Sequence, residues 1–243
     1  MKLKTYLLSI FLFLPAIGFA QGSNTATNNQ DPYENFNRAM FQFNLHFHNV
    51  IGKPLVEGYK TVVPSPARTG VSNFFNNLNE PLNIVNALLQ GEIESSLSSF
   101  MRFTINSTFG LLGLIDIATP AGLPYQKEDL GQTLAVWGWW TESNYIMLPL
   151  VGPYTTRDLL GRVADSSYNP SYNDIIQTDG YGQFYLFVAE SFDDYTKVEM
   201  LLAEVKQQPD PYIFMRESYL QYRTNLIYNG NPPAPDLDDF NYE

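Results

Sequence analysis

The stretch Asp31-Pro-Tyr-Glu-Asn-Phe-Asn-Arg-Ala-Met40-Phe-Gln-Phe-Asn-Leu-His-Phe-His-Asn-Val50-Ile-Gly52 sets the fold class. Phe36, Met40, Phe43, Phe47 and Val50 recur at alternating spacings of four and three, the period of an α-helix and not of a strand. Asp31-Pro32 reads as an N-cap followed by a first-turn proline, Glu34 completes a capping-box pattern, and Gly52 reads as the stop.

The same punctuation recurs outward along the chain. Ser65-Pro66 opens a second helix carrying Val71, Phe74, Phe75 and Leu78, and Glu80-Pro81 a third, through Leu82, Val85 and Leu89 to Gly91. Ile93, Leu97, Phe100 and Thr104 mark a fourth. Thr155-x-x-Asp158 caps a fifth, and Ser191-x-x-Asp194 opens one bearing Val198, Leu201, Leu202 and Val205. Asp210-Pro211 repeats the opening before Tyr212, Met215, Tyr219, Tyr222 and Leu226. The fold class is all-α. Two segments differ in kind. Asn106 to Asp116 pairs Gly110 and Gly113 with apolar residues, which suggests a bend or close backbone approach. Trp137 to Pro149 places Trp-Gly-Trp-Trp before a polar Thr-Glu-Ser-Asn turn and reads as a short hairpin, its tryptophans serving either as interfacial anchors or as core.

On a helical wheel the first helix puts Tyr33, Phe36, Ala39, Met40, Phe43, Phe47, Val50 and Ile51 on one arc, expected to face the core. Phe41 and Leu45 then fall on the opposite side. They are expected to meet a second layer of helices in the same domain, or else acyl chains or another protein.

Residues 1–20 read as a signal peptide: Lys2 and Lys4 precede an apolar stretch, and small residues Gly18 and Ala20 place cleavage between Ala20 and Gln21. Residues 21–30 read as a flexible tether, 31–230 as one helical domain, and 231–243 as an acidic disordered tail. With 25 acidic against 14 basic residues the chain is acidic, which argues against nucleic acid and against polybasic attraction to anionic lipid. It has no cysteine and two histidines, and His46 and His48 point about 200° apart on a helix, so no metal site is expected. No phosphate loop, dinucleotide fingerprint or G-x-S-x-G elbow is present, so neither a cofactor nor catalysis is expected. After the leader no apolar run is long enough to cross a bilayer as a helix, leaving lateral contact with one leaflet as the form any membrane contact would take.

Several segments together resemble the MlaA/VacJ family of outer-membrane phospholipid-transport components. They are Asp31 to Met40, Val63-Pro-Ser-Pro-Ala-Arg-Thr-Gly-Val-Ser-Asn-Phe74, Asn79-Glu-Pro81 and Arg102 to Asp116. Asp129-Leu-Gly-Gln-Thr-Leu134, Leu148-Pro-Leu-Val-Gly-Pro153 with Arg157-Asp158, and Asp210 to Tyr219 follow in the family's order. The resemblance implies a ring-like bundle of amphipathic helices in the inner leaflet of the outer membrane, with a central amphipathic channel. It implies passive removal of mislocalised phospholipids from the outer leaflet, maintaining lipid asymmetry, with a porin trimer and a soluble periplasmic lipid carrier as partners. On that basis Phe109, Gly110, Leu111, Leu112, Gly113, Leu114, Trp137, Gly138, Trp139 and Trp140 are expected at the lipid path or membrane, and Asn35, Asn44, Asn83 and Asn86 along a polar lane. The sequence departs from the family in two ways. It has no cysteine to carry a lipid anchor, and it has Trp139-Trp-Thr-Glu-Ser-Asn-Tyr145 where the family is richer in glycine. The competing reading from the residues is a soluble periplasmic scaffold or aromatic-rich binding module.

Overall fold

The computed structural model describes residues 31–140, 143–167 and 179–233. The expected leader, its cleavage point at Ala20 and Gln21, the tether and residues 234–243 of the tail lie outside the described residues. Within them the fold is helical. In chain order the elements are α1 (Glu34–Phe47), a π turn (His48–Gly52), α2 (Lys53–Val62), α3 (Ser65–Gln90), α4 (Ile93–Thr108) and α5 (Leu130–Val136). Strands β1 (Tyr145–Leu148) and β2 (Gly152–Thr155) follow, then α6 (Thr156–Ser167), α7 (Gly180–Val205) and α8 (Pro211–Ile227).

Several boundaries follow the sequence signals. Asp210 caps α8 by accepting from the Tyr212 and Ile213 amides, and Thr155 Oγ1 accepts from the Asp158 amide at the start of α6. Others differ for identifiable reasons. Asp31 does not cap α1, because its carboxylate is taken by Asn37, Tyr212 and Arg216. Gly52 is not a stop: the Lys53 amide bonds the His48 carbonyl across the π turn and the chain continues into α2. The second and third expected helices are one, α3, with Pro81 inside it. That proline removes a single ladder bond, while Asn77 bonds Ser107 and Glu80 pairs with Arg102 before it, and Ser96 donates to the Ile84 carbonyl after it, tying both sides to α4. Helix α7 begins after Asp179, well before Ser191, so Ser191 and Asp194 lie within it and do not cap it; the neighbouring Asp193 accepts from Ser72 of α3. The hairpin also lies later than expected. Trp137 to Trp140 form the turn after α5, and the pairing is between Tyr145–Leu148 and Gly152–Thr155, with Tyr145 opposite Thr155.

The wheel assignment of α1 is mostly reversed. Phe41 is buried and Leu45 packs against the same cluster, as does Met40 of the expected arc; Phe36 and Phe47 are half-buried, whereas Tyr33, Ala39, Phe43, Val50 and Ile51 are exposed. The same inversion runs through the molecule. Helix α4 buries Ser96, Ser99, Arg102 and Asn106 and exposes Ile93, Leu97, Phe100 and Met101. Helix α3 buries Asn77, Glu80, Asn83 and Asn86 alongside Phe75, Leu78 and Ala87, and exposes Val85, Leu88 and Leu89. A water-soluble domain would segregate these residues the other way.

Contacts between elements close a circuit: α1 against β1, β2 against α8, α8 against α5, α5 against α3, α3 against α7, α7 against α2, and α2 back to α1 through the π turn. Two close contacts are defined in detail, one within this circuit and one beside it. In the first, α1 and the hairpin meet through side-chain amides one heptad apart. Asn37 donates to the Tyr145 carbonyl (3.1 Å) and accepts from the Met147 amide (2.9 Å); Asn44 donates to the Leu148 carbonyl (2.8 Å) and accepts from the Leu150 amide (2.7 Å). The pair covers the open edge of β1 as a third strand would. In the second, α5 crosses α6 at Gly131 and Gly161, where a Cβ on Gly161 would lie 2.4 Å from the Gly131 nitrogen.

Replacing Asn37 by Ala leaves a buried amide, carbonyl and carboxylate oxygen without this partner and is expected to cost about 2–4 kcal/mol in chemical unfolding. Asn35→Ala, on the exposed side of the same helix, is expected to stay within about 0.5 kcal/mol. Equal effects of the two substitutions would contradict the edge-covering role.

Candidate lipid-contact site

An apolar surface runs along the outside of the α3–α4 pair. The two helices are antiparallel, as the bonds Ser96 to Ile84, Arg102 to Glu80 and Asn77 to Ser107 require. Along them Leu88, Leu89, Ile93, Leu97, Phe100 and Met101 are exposed. At one end the turn 109–115 adds Phe109, Leu111, Leu112, Leu114 and Ile115, with Phe109 and Leu112 each 71% exposed. The turn is held to α3 by Asn73, which donates to the Leu114 carbonyl, and by Gly113 (φ +93), where a Cβ would lie 2.5 Å from that of Asn77. Leu111 and Leu112 occupy the left-handed region, so two bulky leucines face outward at a backbone cost. At the other end stand Trp137, Trp139 and Trp140, all exposed, with Trp137 Nε1 donating to the Leu89 carbonyl (2.8 Å). The two expected lipid-path segments are therefore not adjacent: their contacts on α3, Asn77 and Leu89, are about 18 Å apart along its axis.

The buried charges form three groups. Arg102, 2% exposed, donates to Glu80 (2.5 Å), Thr119 (2.9 Å) and the Leu123 carbonyl, while Asn106 accepts the Ile117 and Ala118 amides and donates to Asp116. Arg223 of α8 grips Asp129 with both terminal nitrogens (2.7 and 2.9 Å) and reaches Asp158 (2.8 Å), which also accepts from Tyr219. Asp31 joins α1 to α8 through Asn37, Tyr212 and Arg216. These charges were not picked out from the sequence as interior, although Asp31, Asp116, Asp129 and Asp158 all stand inside the family-like stretches. Their partners are up to 185 residues away, and only the fold brings them together.

The four asparagines expected on a polar lane separate. Asn35 is exposed. Asn44 covers the hairpin edge as described. Asn83 is buried, donating to Glu80 and accepting the Glu128 amide, and Asn86 is buried, donating to the Leu82 carbonyl and accepting from Thr133. Gly110 is buried and Gly138 exposed.

Burial raises the Glu128 carboxyl to about 7, only partly offset by the bond from Gln90. Burial likewise raises Asp165 to about 6 against the bond it accepts from the Leu130 amide. Burial alone would also raise Asp129, but the hydrogen bonds and charge of Arg223 hold it at about 2. Among the described residues no group of His, Asp and Glu is arranged to hold a metal ion, and no helix is long and apolar enough to cross a membrane.

Residues 29–226 match the family model described as MlaA lipoprotein. The chain is 34% identical over 241 residues to the intermembrane phospholipid transport system lipoprotein MlaA of Shigella flexneri, covering 97% of this chain and 92% of that protein. The protein of the same name from Escherichia coli (strain K12) is 34% identical with the same coverage, and that of Haemophilus influenzae is 32% identical over 239 residues. A solved structure described as the structural basis for maintenance of bacterial outer membrane lipid asymmetry superposes with a TM-score of 0.69 at 34% identity, covering 81% of this chain and 98% of that one.

Glu128 supplies a pH test. Between its unperturbed value of 4.5 and about 7 the folded chain keeps a proton that the unfolded chain has released, so stability falls as pH rises through that window. Glu128→Gln is expected to flatten the fall and to be more stable above pH 7 by on the order of 2 kcal/mol. Thermal unfolding across pH checks this; an unchanged slope would contradict the burial of an ionisable group there.

Proposed function

The chain belongs to the MlaA lipoprotein family, and on that premise we propose that it carries phospholipid between the membranes of a bacterial envelope. In this reading it lies in the periplasmic leaflet of the outer membrane, beside a porin trimer. It removes phospholipids misplaced in the outer leaflet, passes them to a soluble periplasmic carrier, and so maintains lipid asymmetry. The observation that carries the reading is the inverted burial: exposed Phe, Leu, Ile and Trp outside, with Arg, Asp, Glu and Asn inside.

The physical task can be sized. Two acyl chains hold on the order of 30 methylenes, and at about 0.8 kcal/mol each their full exposure to water would cost roughly 20 kcal/mol. A conduit lowers that barrier by offering apolar wall to the tails and a hydrated path to the headgroup. Phe109, Leu111, Leu112 and Leu114 with Trp137, Trp139 and Trp140 supply apolar wall; Asn35 remains an amide free of buried partners on the polar side. Asn44, Asn83 and Asn86 hold the wall in place. Nothing in the sequence couples an energy source, so net flow is set by which partner holds lipid more tightly. In this reading the apolar surface itself holds the chain against the leaflet.

A strain lacking the chain is expected to accumulate phospholipid in its outer leaflet and to become detergent-sensitive, both reversed by the wild-type gene. Photocrosslinkers at Phe109 and Trp139 are expected to capture lipid, and one at buried Asn83 is not. Normal outer-leaflet composition in the deletion strain, with no lipid captured at either exposed position, would instead favour a soluble scaffold.

A further inference from the structure

Where the segment entering α5 meets the C-terminal end of α8, Tyr125, Lys127, Glu128, Asn225 and Asn229 line a cavity of about 220 Å³. That is below the roughly 300–1,000 Å³ of sites for drug-sized ligands, so the cavity is sized for a lipid headgroup and not for the acyl chains attached to one. Lys127, Asn225 and Asn229 are exposed, whereas Glu128 is 3% exposed.

A carboxyl buried this deeply is ordinarily matched by a cation or by several donors. Glu128 has one: its Oε2 accepts from Gln90 (2.9 Å), and among the described residues no hydrogen bond reaches Oε1 and no ion pair includes this carboxyl. The neighbouring cation is already committed, since Arg223 grips Asp129 (2.7 and 2.9 Å) and Asp158 (2.8 Å). Gln132, fully buried, donates Nε2 to the Lys127 carbonyl (2.9 Å) and leaves its own Oε1 without a donor. Burial and the charges of Asp129 and Glu92 accordingly raise the Glu128 carboxyl to about 7, against the bond from Gln90 and the charge of Arg223.

What this segment lacks is positive charge that also brings N–H donors. A primary ammonium supplies three in one compact group; a quaternary ammonium supplies the charge and no donor. The rim asks for the opposite sign, because among the described residues no ion pair holds the Lys127 ammonium, which is exposed one position from Glu128. We propose that this cavity receives the headgroup of an aminophospholipid, with its primary ammonium on the Glu128 carboxylate and its phosphodiester on Lys127. The proposal rests on the phospholipid reading above and adds to it the headgroup and the two residues that recognise it.

Soluble headgroups test the site apart from any membrane. With the protein in detergent micelles, glycerophosphoethanolamine is expected to shift the side-chain amide resonances of Asn225 and Asn229 saturably. Glycerophosphocholine, equal in charge but without N–H donors, and glycerophosphoglycerol, without the cation, are each expected to bind about tenfold more weakly or worse. Glu128→Gln keeps the shape and removes the charge, and is expected to abolish the preference. Lys127→Ala is expected to reduce glycerophosphoethanolamine to the affinity of free ethanolamine. Because the ammonium needs Glu128 ionised, affinity is expected to fall about tenfold from pH 8 to pH 6 in the unaltered chain and to stay level in Glu128→Gln. Equal binding of the three headgroups, or binding unchanged by Glu128→Gln, would overturn the site. Free ethanolamine binding the unaltered chain as tightly as glycerophosphoethanolamine would make the ligand a small amine and overturn the lipid assignment. Transfer of phosphatidylethanolamine and phosphatidylglycerol between vesicles separates this inference from the proposed function. Transfer of both lipids with no headgroup binding would sink the site and leave the conduit; headgroup binding with transfer of neither would sink the conduit and leave the site.

Discussion

Charged and hydrogen-bonding groups turned to the inside of this protein must be satisfied there, because the outer surface of the α3–α4 pair offers them no exit. Arg102 is the clearest instance. Its guanidinium is 2% exposed and reaches Glu80, Thr119 and a backbone carbonyl, with Tyr125 stacked against it. Breaking one side of such a pair leaves a buried charge uncompensated, a loss typically of about 3–5 kcal/mol. Among the described residues the ring of contacts is therefore held by specific partners at its joints as much as by apolar packing; the larger of two buried apolar clusters is Phe41, Tyr145, Met147, Val205 and Tyr212, with Met40, Leu45 and Leu220 among the half-buried residues against it. Orientation-dependent bonds define shape where non-directional packing does not.

The same constraint explains why the helices can present apolar residues outward without collapsing on one another. Leu97 and Phe100 cannot turn inward unless Ser99 and Arg102 turn out, and Arg102 is tied to Glu80 on α3 and Thr119 beyond α4. Asn37 and Asn44 act alike for α1, fixing which side meets the hairpin and leaving Phe43 and Val50 outside. An interior that specifies itself through ion pairs and amides frees the exterior to match a lipid environment.

Helix positions and several caps were legible in the sequence because they are local: Asp210-Pro211 and Thr155-x-x-Asp158 each act within one turn. The direction in which helices face was not. Apolar periodicity gives the axis of segregation but not its sign, and a wheel read as for a water-soluble domain turns the larger apolar arc of α1 inward. The sign is set by Asn37, Asn44 and Asp31, whose partners lie in the hairpin and α8. Pro81 and Ser191 misled for a related reason: each resembles a helix start, yet distant bonds from Glu80 to Arg102 and from Ser72 to Asp193 hold the helix through it. The apolar segments 109–115 and 137–140 were legible as special by composition, but not their separation along α3.

Neutron reflectometry of the protein, reconstituted into a supported bilayer with deuterated acyl chains, tests most directly the proposed seating of this inverted polarity in one leaflet. Protein density is expected within the hydrocarbon of one leaflet and its adjoining headgroups. Density confined to the water layer above the bilayer, or spread through both leaflets, would contradict it.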